Sequence, residues 1–155
     1  MRIKVVEIIS DMNIGGAGRL LLTRLCACDK RRFEELVVLP EGSELSEEFK
    51  SIGYSPYSVK YCADKSFDAR AVFVLYKYFR RVRPNIINAH GCLSARIAGY
   101  LARVPVRIFT RHCAFEPSAA MTRFPIRNIN GLANKMITTI NTIIMLFFLW
   151  LMTFL

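Results

Sequence analysis

Histidine titrates nearest neutral pH, so the two histidines of this chain are its first acid–base candidates. Each stands just past an apolar run. His90 follows Ile86-Ile87-Asn88-Ala89 and precedes Gly91, and Arg111-His112 follows Val106-Arg107-Ile108-Phe109-Thr110. A third polar turn, Ser10-Asp11-Met12-Asn13-Ile14-Gly15-Gly16-Ala17-Gly18, follows Ile3-Lys4-Val5-Val6-Glu7-Ile8-Ile9. A strand, a glycine turn and a helix start in that order offer backbone N–H groups and the positive end of a helix dipole to an anion. Glycine matters there because a Cβ would hold a phosphate away from those N–H groups. The residue types therefore point to phosphate binding at Gly15 and Gly16, with strand-end histidines nearby. For both histidines, hydrogen bonding to a turn is the plainer alternative.

Other motifs are partial or missing. The dinucleotide fingerprint G-x-G-x-x-G is half met by Gly16-Ala17-Gly18-Arg19-Leu20-Leu21, where Leu21 takes the third glycine's place. Glu41 lies at a suitable distance for a ribose-binding acid, but between Pro40 and Gly42. A nicotinamide-dependent oxidoreductase is thus a third-ranked reading. No Gly-Lys-Ser/Thr and no G-x-S-x-G occurs, which removes a P-loop and a serine nucleophile elbow. The five cysteines, Cys26, Cys28, Cys62, Cys92 and Cys113, form no C-x-x-C pair. That argues for reduced thiols and against a disulfide framework or a zinc site.

Positioning these residues requires an alternation of strands and helices. Strands are predicted near 3–9, 33–39, 54–59, 86–89, 106–110 and 135–140, and helices near 17–30, 43–52, 68–82, 94–103 and 118–132. In the helix at 68–82, Asp68 is the cap, Val72, Leu75, Tyr76 and Phe79 line one side, and Pro84 ends it. Strands separated by helices of this length give βαβ units. The expected fold is a single α/β domain with a doubly wound, Rossmann-like parallel sheet. Ligands of such sheets bind beyond the carboxyl ends of the strands, where Gly15-Gly16, His90-Gly91 and Arg111-His112 fall.

The chain of 155 residues has a net charge of +10, which favours anionic partners such as nucleotide phosphates or anionic lipid. Lys77-Tyr78-Phe79-Arg80-Arg81-Val82-Arg83 concentrates that charge at a helix end, where cations also meet the helix dipole favourably. No nucleic-acid-binding signature accompanies it. The N-terminus lacks the uncharged apolar core of a signal peptide.

These residues resemble the N-terminal, acceptor-side domain of family 4 glycosyltransferases, retaining enzymes of the GT-B fold. The resemblance rests on Ile8 to Leu22, on Arg83-Pro84-Asn85-Ile86-Ile87-Asn88-Ala89-His90-Gly91, on Val104 to His112, and on Ala133 to Asn141. It implies a second domain that holds most of a nucleotide-sugar donor, with this chain likewise facing the cleft. Gly15 and Gly16 would then lie against the donor diphosphate and His90 would approach the transferred sugar. Arg111 and His112 would face a lipid-linked or saccharide acceptor. No metal or cofactor is expected. A cytoplasmic location at the inner face of the membrane, in polysaccharide or lipopolysaccharide synthesis, would suit the family and the charge.

The resemblance covers residues 1–141. From Thr142 to Leu155 the sequence departs from the family, and Ile137 to Leu155 carries no charge. This end is expected to be a truncated or frame-shifted product that drives the chain to membranes or aggregates. A domain lacking its donor-binding partner is expected to be inactive alone. The alternative function is a non-catalytic, membrane-associated binding module.

Overall fold

The computed structural model describes residues 2–111 and 135–138. Within them lie β1 (Ile3–Ile9), α1 (Gly16–Cys26), β2 (Phe33–Pro40), α2 (Leu45–Ser51), β3 (Tyr57–Val59), α3 (Ala69–Val82), β4 (Ile86–His90), α4 (Leu93–Leu101), β5 (Val106–Arg111) and β6 (Lys135–Thr138). All five strand pairs are parallel, in the order β3-β2-β1-β4-β5-β6. The order reverses direction between β1 and β4. That reversal opens a crevice beyond the carboxyl ends of these two strands, where open α/β sheets take their ligands. Gly15 follows one of them and His90 ends the other.

Alternation along the strands sends successive side chains to opposite faces, and both faces are covered. Val6, Ile8, Val38, Ile87 and Ala89 pack with Leu75 and Phe79 of α3 and Ala95 and Ala98 of α4. Ile9, Val37 and Leu39 pack on the other side with Leu21 and Leu25 of α1 and Leu45 and Phe49 of α2. The second face carries what an apolar sheet should avoid. Glu7, one residue pair from Ile9, is only 2% exposed in the middle of the central strand.

Most boundaries shift by one or two residues, and two differ by more. Helix α1 stops at Cys26 instead of continuing to residue 30. Cys28 fits the helical period, but its N–H already bonds to Leu25 O, and Asp29 then organises a turn. The Asp29 carboxylate accepts from Arg31 N at 2.9 Å and its carbonyl from Phe33 N at 3.0 Å. Strand β3 has three residues in place of six, pairing only at Tyr57 to Val59 with Val38 to Pro40. Helix α3 follows expectation, with Asp68 accepting from Arg70 N at 2.8 Å and Arg83 closing it in the left-handed region. The helix expected at 118–132, His112, Cys113 and the segment 142–155 lie outside the described residues. No helix among the described residues is long and apolar enough to cross a membrane.

Candidate functional site

The loops beyond the strand ends are tied to one another by backbone and side-chain hydrogen bonds. Ser10 O accepts from Asp64 N at 2.8 Å, and Asp64 Oδ1 accepts from Met12 N at 3.0 Å. Met12 O accepts from Glu44 N, and Ser43 donates its hydroxyl to Asp11 O. On the far side Ser66 donates to Gly91 O at 2.9 Å, while the Ser94 hydroxyl links to both Asp68 N and Asp68 O. The rim is thus held from four strands, which limits how far the glycine turn can drift.

The turn enters α1 without a side-chain cap. Gly15 is the N-cap in extended backbone, no side chain bonds to the first N–H groups, and no acid occupies the first turn. Helix starts normally recruit Ser, Thr, Asp or Asn for that purpose. The three glycines here are not equivalent. A Cβ on Gly18 would meet Leu45 Cδ2 at 2.5 Å, so Gly18 allows α1 and α2 to approach. A Cβ on Gly16 would meet nothing within 4 Å, and Gly16 is exposed. No neighbour in the described fold requires glycine there.

Asp11 borders this turn, 3.9 Å from where a Cβ on Gly15 would stand. Its carboxyl is pushed above its ordinary value of 3.8, chiefly by burial and then by the charge of Asp64, with His90 acting in the opposite sense. A site meant for an anion benefits from a neighbouring carboxyl that resists ionisation.

His90 ends β4 and is 7% exposed. Its Nε2 lies 2.7 Å from Glu7 Oε2 on the neighbouring strand. This contact follows from register: Glu7 pairs with Asn88 and Ile9 with His90, so Glu7, Asn88 and His90 share one face. Asn88 donates Nδ2 to Glu7 Oε2 at 2.9 Å and accepts from Thr110 Oγ1 at 2.8 Å. Arg24 of α1 donates Nη2 to Glu7 Oε1 at 2.7 Å and Nη1 to Glu35 Oε1 at 2.9 Å. A polar chain therefore crosses the sheet beneath α1, from Glu35 through Arg24, Glu7 and His90, with Asn88 and Thr110 alongside. Glu35 and Glu7 also raise the proton affinity of Arg24, against burial, which lowers it and is the largest single influence.

Of the residues singled out in the sequence, Gly15, Gly16 and His90 meet at the β1/β4 crevice. Arg111 is the last residue of β5, and His112 lies outside the described residues. Leu21, at the third glycine position of the dinucleotide fingerprint, is buried in the α1 core. Glu7, Arg24, Asn88 and Thr110 were missed. The available signal was Glu7 itself, a charge inside an apolar strand, together with the shared parity of Asn88 and His90. No group of three or more acidic, histidine or cysteine side chains suited to a metal ion occurs among the described residues.

This arrangement, a parallel α/β sheet with a glycine turn and a strand-end histidine at its switch point, defines a Rossmann-like domain. The chain belongs to glycosyltransferase family 4, whose model matches residues 14–145. No curated protein matches it. Among solved structures it resembles a UDP-N-acetylglucosamine 2-epimerase with 11% identity and a TM-score of 0.64, covering 88% of this chain and 41% of that one. It also resembles MurG from Acinetobacter baumannii, with 8% identity, TM-score 0.61, and coverage of 88% and 41%. A third is Anabaena Alr3699/HepE solved in complex with UDP and glucose, with 16% identity, TM-score 0.58, and coverage of 86% and 36%. These likenesses establish the GT-B type of fold. The chain spans about two fifths of the length of each of these proteins.

Proposed function

We propose that the chain is the acceptor-side domain of a nucleotide-sugar-dependent glycosyltransferase, and that Gly15 and Gly16 receive the donor diphosphate. The observation that carries this reading is Gly16. Glycine in a helix costs up to ~1 kcal/mol relative to alanine. Nothing in the described fold needs it at this position. A missing side chain serves a ligand that must come close to the first N–H groups of α1, as the donor phosphates would. His90 lies on the same crevice, suited to a hydroxyl of the transferred sugar, and the acceptor is assigned to Arg111, the last residue of β5, and to His112, the next in sequence. The fold neighbour solved with UDP and glucose makes a uridine donor the first to try.

The acceptor in this reading is lipid-linked or a saccharide, met by the complete enzyme at the inner face of the cytoplasmic membrane. The charge supports an anionic surface. Arg80, Arg83 and Arg103 border a cavity of about 380 Å³ at the end opposite the crevice, with no acidic partner among the described residues. Others in the basic run are already engaged, Lys77 over Phe73 at 4.2 Å and Arg81 over Tyr78 at 5.7 Å.

Replacing Gly16 by alanine tests the site. The fold has room for the methyl group, so the variant should melt at or above the wild-type temperature. Saturation transfer from the protein to UDP should nonetheless fall severalfold. Equal transfer from a folded Gly16→Ala variant contradicts the assignment.

A further inference from the structure

A cavity of about 480 Å³ opens beside α1 on the sheet face that carries Glu7. Small-molecule sites run from roughly 300 to 1,000 Å³, apolar over most of their walls with a few placed polar groups. Val5, Phe33, Ile86 and Ile108 supply the apolar walls here. In a chain of net charge +10 the polar lining is acidic, with Glu7, Asp29 and Glu35 against the single guanidinium of Arg24. Its hydrogen bonds leave one gap. Arg24 donates Nη2 to Glu7 Oε1 and Nη1 to Glu35 Oε1, Asn88 donates Nδ2 to Glu7 Oε2, and Asp29 accepts from Arg31 N. The Cys28 thiol lies 3.6 Å from Glu35 Oε1. Burial, then the charge of Glu35, pushes that thiol above its ordinary value of 9.0, so it stays protonated and donates. Both donors that reach Glu35 therefore meet the same oxygen. Glu35 Oε2 has no hydrogen-bond partner among the described residues, although the side chain is only 3% exposed. A buried carboxylate oxygen without a donor is costly, and an orphan of this kind calls for one.

We propose that this cavity binds a small organic cation, an ammonium or amidinium group on an apolar body, whose N–H donates to Glu35 Oε2. The inventory of the lining sets the class. An orphaned acceptor needs a donor, which excludes a carboxylate or phosphate head. The acidic excess then selects a charged donor over a neutral hydroxyl, because charge-assisted hydrogen bonds are the stronger ones. Arg24 keeps Glu35 in place from the other side, so the carboxylate is oriented before a ligand arrives. Gly15, Gly16 and His90 do not line this cavity, and the assignment stands apart from the donor site.

The test titrates the isotope-labelled intact chain with benzylammonium chloride and, separately, with benzyl alcohol, which keeps the ring and loses the charge. Benzylammonium should saturate, with backbone shifts centred on Ala27, Cys28, Phe33 and Glu35. It should bind about tenfold or more tightly than the alcohol, the difference a hydrogen bond to a charged group makes. Glu35→Gln keeps an oxygen for Arg24 and puts an NH₂ where Oε2 stands, so the gap between the two probes should close. Absence of saturation with benzylammonium leaves Oε2 to a water molecule and overturns the proposal. Equal affinities for the two probes do the same, as do shifts centred on the exposed Glu47 and Glu48. These three outcomes need no variant. A preference for the cation that survives in a folded Glu35→Gln chain also overturns it. None of them bears on UDP binding at Gly16.

Discussion

Asp11 carries a cost that its neighbours explain. The side chain is partly buried at the rim, accepts no hydrogen bond from any described residue, and faces the charge of Asp64. Its folded-state proton affinity is therefore raised above that of the unfolded chain, whose carboxyl titrates near the ordinary 3.8. The folded state holds this proton more tightly, so stability falls as pH rises from the ordinary value through the raised one. Above both, the penalty is fully present; below 3.8 it is absent. Asp11→Asn keeps the shape and removes the charge. Denaturant melts should find it more stable than wild type at pH 7, with the gap closing as pH falls through the raised value toward 3.8. A gap that persists or grows in acid contradicts this account. At this scale the sequence was readable where composition is unusual, as at Gly15-Gly16 and the two histidines. It was not readable for Glu7, whose meaning depends on Asn88 and His90 more than eighty positions away, joined only by the register of β1 and β4.

The elements add constraints that single residues do not show. Gly18 lies two positions beyond Gly16 and is glycine because α1 and α2 meet there. Leu45 is fully buried, and its methyl groups would stand 2.5 and 2.9 Å from an added Cβ. Overpacking of this kind costs ~1–3 kcal/mol, while alanine's better helix propensity returns at most ~1 kcal/mol. Gly18→Ala should therefore destabilise the chain in denaturant titrations, opposite in sign to Gly16→Ala. Pairing it with Leu45→Val should recover part of the loss, because the shorter side chain makes room; no recovery would place the strain elsewhere. Periodicity located every described strand and helix, since apolar alternation and helical spacing are properties of neighbours in sequence. It overran α1 because Cys28 continues the period, and only the Asp29 turn cuts it short. It overran the third strand because Tyr54 to Pro56 look strand-like, yet Tyr54 N bonds to Phe49 O behind α2 and Pro56 has no N–H for the ladder.

On the scale of the molecule, the parallel sheet places the glycine turn and His90 at one end and, at the other, Arg80, Arg83 and Arg103, which have no acidic partner among the described residues. Two anion-friendly regions therefore compete for a nucleotide, and the proposed function requires the first. Alternation of strands and helices made the α/β class legible from the sequence. The strand order, and with it the switch point that joins Gly15 to His90, came only with the pairing of β1 to β4. The deciding measurement is a titration of the isotope-labelled chain with UDP, mapped on its backbone amides. The account predicts the largest shifts at Gly16, Ala17 and Gly18, with smaller ones at Gly91, and a quiet far end. Shifts centred on Arg80, Arg83 and Arg103, with the glycine turn unmoved, would contradict it.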